Sequence, residues 1–163
     1  RTKSPRTTTD MYKRILIPTD GSDVAEAAIE QAVDLAAKYD AELHALYVVD
    51  TDAVAYGLGT EQVDRLKQGK FGEMTELREK AESATQFVHD LAEEYGVDVV
   101  EHHAGGQPHQ VIASHAEDND IDLIVMGSHG RAGVRRALLG SVTERTLRST
   151  HTPVLVVDYQ DVE

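Results

Sequence analysis

Short apolar runs alternate with long amphipathic stretches along this chain. Ile15-Leu16-Ile17, residues 45–49 (ALYVV), 121–126 (IDLIVM) and 154–157 (VLVV) are brief and largely β-branched. Near-continuous apolar strands of this kind suit a parallel sheet covered on both faces. Residues 97–100 are a weaker fifth candidate. Helical periods lie between the strands. Residues 23–39 place Ala25, Ala28, Ile29, Ala32, Val33 and Ala36 on one face. Residues 73–95 place Met74, Leu77, Ala81, Ala84, Val88, Leu91 and Tyr95 at steps of three and four, a single apolar stripe. Its alanines make a shallow seam, which favours packing on a sheet over a coiled coil. Gly96 ends that helix in the manner of a left-handed C-terminal residue, Pro108 suits the first position of the next helix, and Ser141 opens the last.

The predicted order is therefore strands 13–18, 41–49, 97–103, 121–126 and 153–158, alternating with helices. Strict alternation implies right-handed crossovers and an α/β fold with an open parallel sheet. Residues 11–159 form a single domain. The polar segment 1–10 (RTKSPRTTTD) reads as a disordered lead-in, and it lacks the apolar run of a secretory signal. Residues 50–70, with Gly57, Gly59 and Gly69, are the one irregular stretch. A loop of that length reads either as a lid or binding loop or as a surface connector.

Charge narrows the list of partners. The net charge is −13, from 29 acidic against 16 basic residues. Such a surface repels nucleic acid and anionic membranes. No run of about 18 apolar residues occurs, so no membrane-spanning helix is expected. There are no cysteines, which excludes disulfides and thiolate metal sites and fits a reducing, cytoplasmic setting. The acid excess also points to a surface suited to concentrated salt, or to an ordinary acidic protein. Against it stands one positive island: residues 127–151 carry Arg131, Arg135, Arg136, Arg145 and Arg148 against Glu144 alone. An anionic ligand would be drawn there.

The same segment carries the candidate chemistry. After the fourth strand come Gly127, then Gly130 after two intervening residues, and Gly140-Ser141 after nine more, at the start of a helix. Glycines let backbone N–H groups approach an anion, and the first turn of a helix adds unpaired N–H groups and the positive end of its dipole. Ser141 with Glu144 spells a capping box, and the hydroxyls of Ser141 and Thr143 are candidate phosphate donors. The spacing alone leaves open that the glycines only turn the chain and Ser141 only caps. No lysine precedes Ser141, so this is not a Walker loop, and the glycines follow a late strand, unlike the dinucleotide fingerprint. In open parallel sheets ligands bind beyond the carboxyl ends of strands, where the winding reverses. With the first strand central, Pro18-Thr19-Asp20-Gly21 and Gly127 face one crevice. Asp20 there reads either as a ligand to Mg²⁺ beside phosphate or as a turn residue. Arg131 and Arg135 read either as phosphate contacts or as solvated side chains, with Arg131 the candidate because it adjoins Gly130. His129 lies inside the loop, where it would orient water or stand exposed to solvent. His102 and His103 are neighbours on a strand and point to opposite faces, which argues against one ion held by both.

These residues resemble the universal stress protein family in its ATP-binding branch. Gly127-x2-Gly130-x9-Gly140-Ser141 matches that branch's motif without a gap. The segment from Lys13 to Ser22 (KRILIPTDGS) is similar to the family's first strand and turn, and Ala45 to Asp50 to its second strand. Gly106-x-Pro108 and the run from Pro153 to Val157 match two further landmarks. The resemblance covers roughly residues 11–159. It implies a Rossmann-like sheet of order 3-2-1-4-5 with helices on both faces. It places adenine near Val48, with Pro18, Thr19 and Asp20 around the nucleoside, Met126 and Gly127 beside the ribose and phosphates, and Gly130, Gly140, Ser141 and Val142 at the phosphates. It implies ATP, or ADP or AMP; Mg²⁺ rests on the reading of Asp20 as a metal ligand. It further implies a homodimer through Val154, Leu155, Val156 and Val157, an apolar edge strand that invites pairing by itself. Gly133, Arg135 and Arg136 match no fixed family role. The expected function is a nucleotide-dependent regulatory or stress-response module. The alternatives are a slow ATPase or phosphoryl-transfer enzyme, for which no convincing base is visible, and a binder of another adenosine compound such as AMP.

Overall fold

A computed structural model of the chain describes residues 11–54, 58–71, 74–129 and 139–158. Five strands form one parallel sheet: β1 (Arg14–Pro18), β2 (Glu42–Asp50), β3 (Val99–Gly106), β4 (Leu123–Gly127) and β5 (Val154–Val157). Their order is β3-β2-β1-β4-β5, as the sequence led us to expect. The central strand β1 pairs with β2 and β4, so the winding reverses between β1 and β4. The lead-in 1–10 lies outside the described residues.

Two-residue periodicity sorts the strand side chains between two cores. Ile15, Ile17, Leu43, Ala45, Leu123 and Val125 face the helices α1 (Asp23–Tyr39) and α4 (Thr75–Tyr95), meeting Ile29, Val33 and Val88. Leu16, Leu46, Ile124 and Met126 face the other side, against Ile112 and Ala116 of α5 (Pro108–Asp118), with α6 (Ser141–Ser149) beside α5. Every member of the predicted α1 stripe is buried. The α4 stripe packs on the sheet and α1, although its last member, Tyr95, is 54% exposed. Asp40 and Gly96 close α1 and α4 in left-handed conformations.

Two expectations need correction. Strand β3 runs to Gly106 and not to residue 103, because Gly105 and Gly106 continue the ladder opposite Val49 and Asp50. The irregular stretch after β2 contains helices α2 (Thr51–Val54) and α3 (Thr60–Lys67). Helix α3 buries Leu66 completely, in a cluster with Tyr47, Val49, Phe71, Ala81 and Ala84. Gly69 follows it at φ 74°, and a Cβ there would strike the backbone carbonyl of His103. Only glycine meets both demands. This segment therefore extends the α1–α4 layer over the ends of β2 and β3.

Candidate functional site

The carboxyl ends of β1, β2 and β4 open into a cavity of about 400 Å³. Its floor is apolar: Leu46 and Val48 of β2, Met126 of β4 and Ile112 of α5. Its rim is polar and comes from helix starts. Helix α1 enters behind Thr19 and Asp20, α5 behind Pro108, and α6 behind Gly140. Three helix N-termini converging on one end of a sheet give that end a positive backbone field.

The start of α6 is built by its neighbours. The Gly140 N–H donates to the Ser128 carbonyl at 2.7 Å, which fixes Gly140 as the residue before the helix. A Cβ on Gly140 would lie 3.0 Å from the His129 Cα, so a larger residue would have to push the loop apart. Ser141 is consequently the first helical residue, and the expected Ser141–Glu144 capping box does not form. Among the described residues no side chain caps this helix. Glu144 instead pairs with Arg148 at 2.9 Å. An uncapped first turn leaves its N–H groups directed at the cavity rim. Thr143 also departs from expectation: its hydroxyl is buried and donates to the Gly127 carbonyl at 2.8 Å, tying strand end to helix start. It is already engaged and is not a free phosphate donor.

The turn after β1 is held the same way. Asp20 Oδ1 accepts the Ser22 N–H at 2.9 Å, and Ser22 Oγ accepts the Ala25 N–H at 3.2 Å, capping α1. The turn reading of Asp20 is thus realised, with its carboxylate still on the cavity wall. Pro18, Thr19, Asp20, Val48, Met126, Gly127, Gly140, Ser141 and Val142 all line this one cavity. Gly130 and Arg131, with Arg135 and Arg136, lie outside the described residues. Sequence reasoning did not single out Leu46, Asp50 or Ile112 as lining residues. Leu46 and Ile112 carry only an apolar period, and their place in the cavity depends on how α5 crosses the sheet.

His129 borders the cavity. Ser128 Oγ donates to Asp158 Oδ1 at 2.8 Å and lies 3.0 Å from His129 Nδ1. With the serine proton committed to Asp158, His129 donates from Nδ1, which leaves Nε2 as its acceptor. The serine is buried in the middle of this chain, so the trio is not a nucleophile–base–acid arrangement.

His102 and His103 do project to opposite faces. His103 Nε2 meets Glu101 Oε1 at 2.7 Å and stacks on Phe71, while His102 stacks with His44. Burial pushes the Glu101 carboxyl up, but hydrogen bonds from Thr85, His89 and His103 outweigh it and hold it below its ordinary value. Burial, reinforced by His44, lowers His102; burial, reinforced by His102 and His44, lowers His115 to about 4.

A sequence model of the universal stress protein family matches residues 11–158. The chain is 42% identical over 149 residues to universal stress protein MJ0531 of Methanocaldococcus jannaschii, covering 91% of this chain and 83% of that one. It is 34% identical to universal stress protein MJ0577 of the same organism, over 90% of this chain and 95% of the relative. The solved structure of MJ0577 superposes with a TM-score of 0.75 at 32% identity, over 93% of this chain and 99% of that one. A universal stress protein solved in complex with cAMP superposes with a TM-score of 0.60 at 25% identity, over 90% and 97% of the two chains. The chain belongs to the universal stress protein family. Among the described residues no helix is long and apolar enough to cross a membrane.

Proposed function

We propose that this chain is a nucleotide-dependent regulatory module that binds ATP, with Mg²⁺ as companion ion, in the cavity at the carboxyl ends of β1, β2 and β4. The observation that carries the reading is the pairing of an apolar floor with an uncapped helix start in one cavity of nucleotide size. About 400 Å³ falls within the range of small-molecule sites, about 300–1,000 Å³. Val48 and Leu46 offer a flat apolar bed for adenine, with Pro18, Thr19 and Asp20 around the nucleoside. Met126 and Gly127 stand beside the ribose. Gly140, Ser141 and Val142 meet the phosphates through backbone N–H groups, with Gly130 and Arg131 completing that end.

The donor set fits Mg²⁺, which takes one or two carboxylates and completes its shell with phosphate oxygens and water. Asp20 is the carboxylate assigned to it. Binding rather than turnover is the proposed activity, because phosphoryl transfer needs a group to orient the nucleophile. His129 is the candidate on the rim, and its Nδ1 rests on a neutral serine and not on a carboxylate. Self-pairing of β5 through Val154, Leu155, Val156 and Val157 is part of the same proposal. This strand is at the sheet edge and Leu155 is 37% exposed. Sedimentation of Leu155→Arg as a monomer beside a dimeric parent tests that half.

The central experiment is to purify the protein without added nucleotide, denature it and chromatograph the supernatant. We expect bound ATP or ADP. If none is found, titration with ATP and Mg²⁺ follows, and failure of both would overturn the reading. The relative solved with cAMP favours a second reading, in which another adenosine compound is the ligand. Competition among ATP, ADP, AMP and cAMP separates the two, since preference for AMP or cAMP would count against the phosphate role of the α6 start.

A further inference from the structure

Three histidines from three elements meet beneath α5. His44 of β2, His102 of β3 and His115 of α5 each bring one ring nitrogen within 4.8 Å of the others. The ladder register makes this possible: Leu46 stands opposite His102, so His44 is one step away on the same face. His44 Nδ1 lies 3.0 Å from His102 Nε2, and the His102 and His115 rings meet edge to face at 4.3 Å. The other nitrogen of His44 is held by Glu42 Oε1 at 2.7 Å. His115 Nε2 is buried and has no hydrogen-bond partner among the described residues. An unmet buried polar atom is costly and marks where an ion or water belongs.

We propose that His44 Nδ1, His102 Nε2 and His115 Nε2 form a binding site for a borderline divalent transition cation, for which Zn²⁺ is the probe. Three imidazoles suit Zn²⁺, Ni²⁺ or Cu²⁺, whereas Mg²⁺ and Ca²⁺ select oxygen. Zn–N bonds of about 2.0–2.1 Å in a tetrahedron hold the nitrogens roughly 3.3–3.4 Å apart. The 3.0 Å contact then opens by a few tenths of an ångström, and the separations to His115, already within 4.8 Å, adjust to the same value. Glu42 supplies the outer-shell carboxylate that such sites use: it fixes the His44 proton on Nε2 and leaves Nδ1 free to ligate. His102 shifts its proton to Nδ1, so both nitrogens of the present contact become ligands. His115 also borders a surface hollow of about 540 Å³, with Asp118 on the same wall, so one ligand residue stands next to solvent. The bound ion clamps α5 to β2 and β3.

Calorimetric titration of the full chain with Zn²⁺ tests this, together with Co²⁺ titration followed by visible absorption. We expect one ion per chain and the intense d–d bands of a four-coordinate Co²⁺ site. Both vanish in His115→Gln, fall by about 10–100-fold in affinity in Glu42→Gln, and persist in the exposed control His151→Gln. Circular dichroism checks that each variant folds. Histidine side-chain NMR of the unaltered protein gives a readout independent of variants: Zn²⁺ moves the ring nitrogens of His44, His102 and His115 and leaves His151 in place. Absence of stoichiometric uptake by the parent, resonance shifts confined to other histidines, or undiminished affinity in folded His115→Gln would each overturn the proposal.

Discussion

The two ends of the sheet are both hollow, and they differ in kind. The hollow at the amino ends of the strands is the larger, about 640 Å³ against about 400 Å³. It is ringed by Lys13, Arg14, Asp40, Glu42 and Asp98, and helices α1 and α4 finish there at Tyr39 and Tyr95. Helix ends present unpaired carbonyls and the negative end of the dipole. The smaller cavity at the carboxyl ends receives helix starts and has an apolar floor. Volume alone would choose the wrong end for an anion, while the polarity of the backbone chooses the other. In a parallel α/β fold this inequality is built in, because every helix runs antiparallel to its strands.

Substitutions at the two ends should break or sharpen that contrast. The largest effect is expected from Gly140→Val. Its side chain would collide with His129 and stand before the α6 amides, and we expect affinity for ATP to fall by more than about 100-fold, equivalent to over about 2.7 kcal/mol. Equilibrium titration measures this, and retained affinity would remove α6 from the site. Ser141→Pro is gentler. Proline is favoured at the first helical position, and Gly140 at φ −65°, ψ 159° is already in the conformation that precedes proline. The helix survives while one N–H and one hydroxyl are lost, so about 10–100-fold weaker binding is expected, with thermal stability unchanged.

Asp20→Asn should weaken binding by about 10-fold in Mg²⁺ and have little effect in EDTA, in line with one charged hydrogen-bonding or metal contact. An equal loss in both buffers would assign Asp20 to the turn alone. At the opposite end, Gly96→Ala adds a Cβ into open space at φ 69°. It should cost about 1 kcal/mol of stability by denaturant titration and leave nucleotide affinity untouched. The smallest expected effect is that of salt on the acidic surface: a melting series from low to molar KCl should show a rise, and a flat series would mark it as an ordinary acidic surface.

Much of this architecture was readable in the sequence, for identifiable reasons. Strand runs of a few β-branched residues and helix stripes at steps of three and four report burial directly, so β1, α1 and the parallel α/β class followed from local pattern and chain connectivity, while the strand order came from the family resemblance. Pro18, Asp20, Gly127 and Gly140 could be placed at one end because strand ends in a parallel sheet point the same way. Other features were not legible. The Ser-Val-Thr-Glu pattern predicted a cap at Ser141, but the Ser128 carbonyl holds Gly140 in that position, through a contact twelve residues away in sequence. Helix α3 looked irregular because one buried residue, Leu66, anchors it.

Periodicity therefore determined the fold class, and glycine spacing marked the end of the sheet at which we propose an anion sits, since these depend on each segment's own burial and backbone freedom. Only the tertiary structure decided which glycine starts α6, which hydroxyls are already taken, and that His44, His102 and His115 meet. Those facts depend on strand register and on how helices cross the sheet, which are set by packing between distant segments and leave no local mark in the chain.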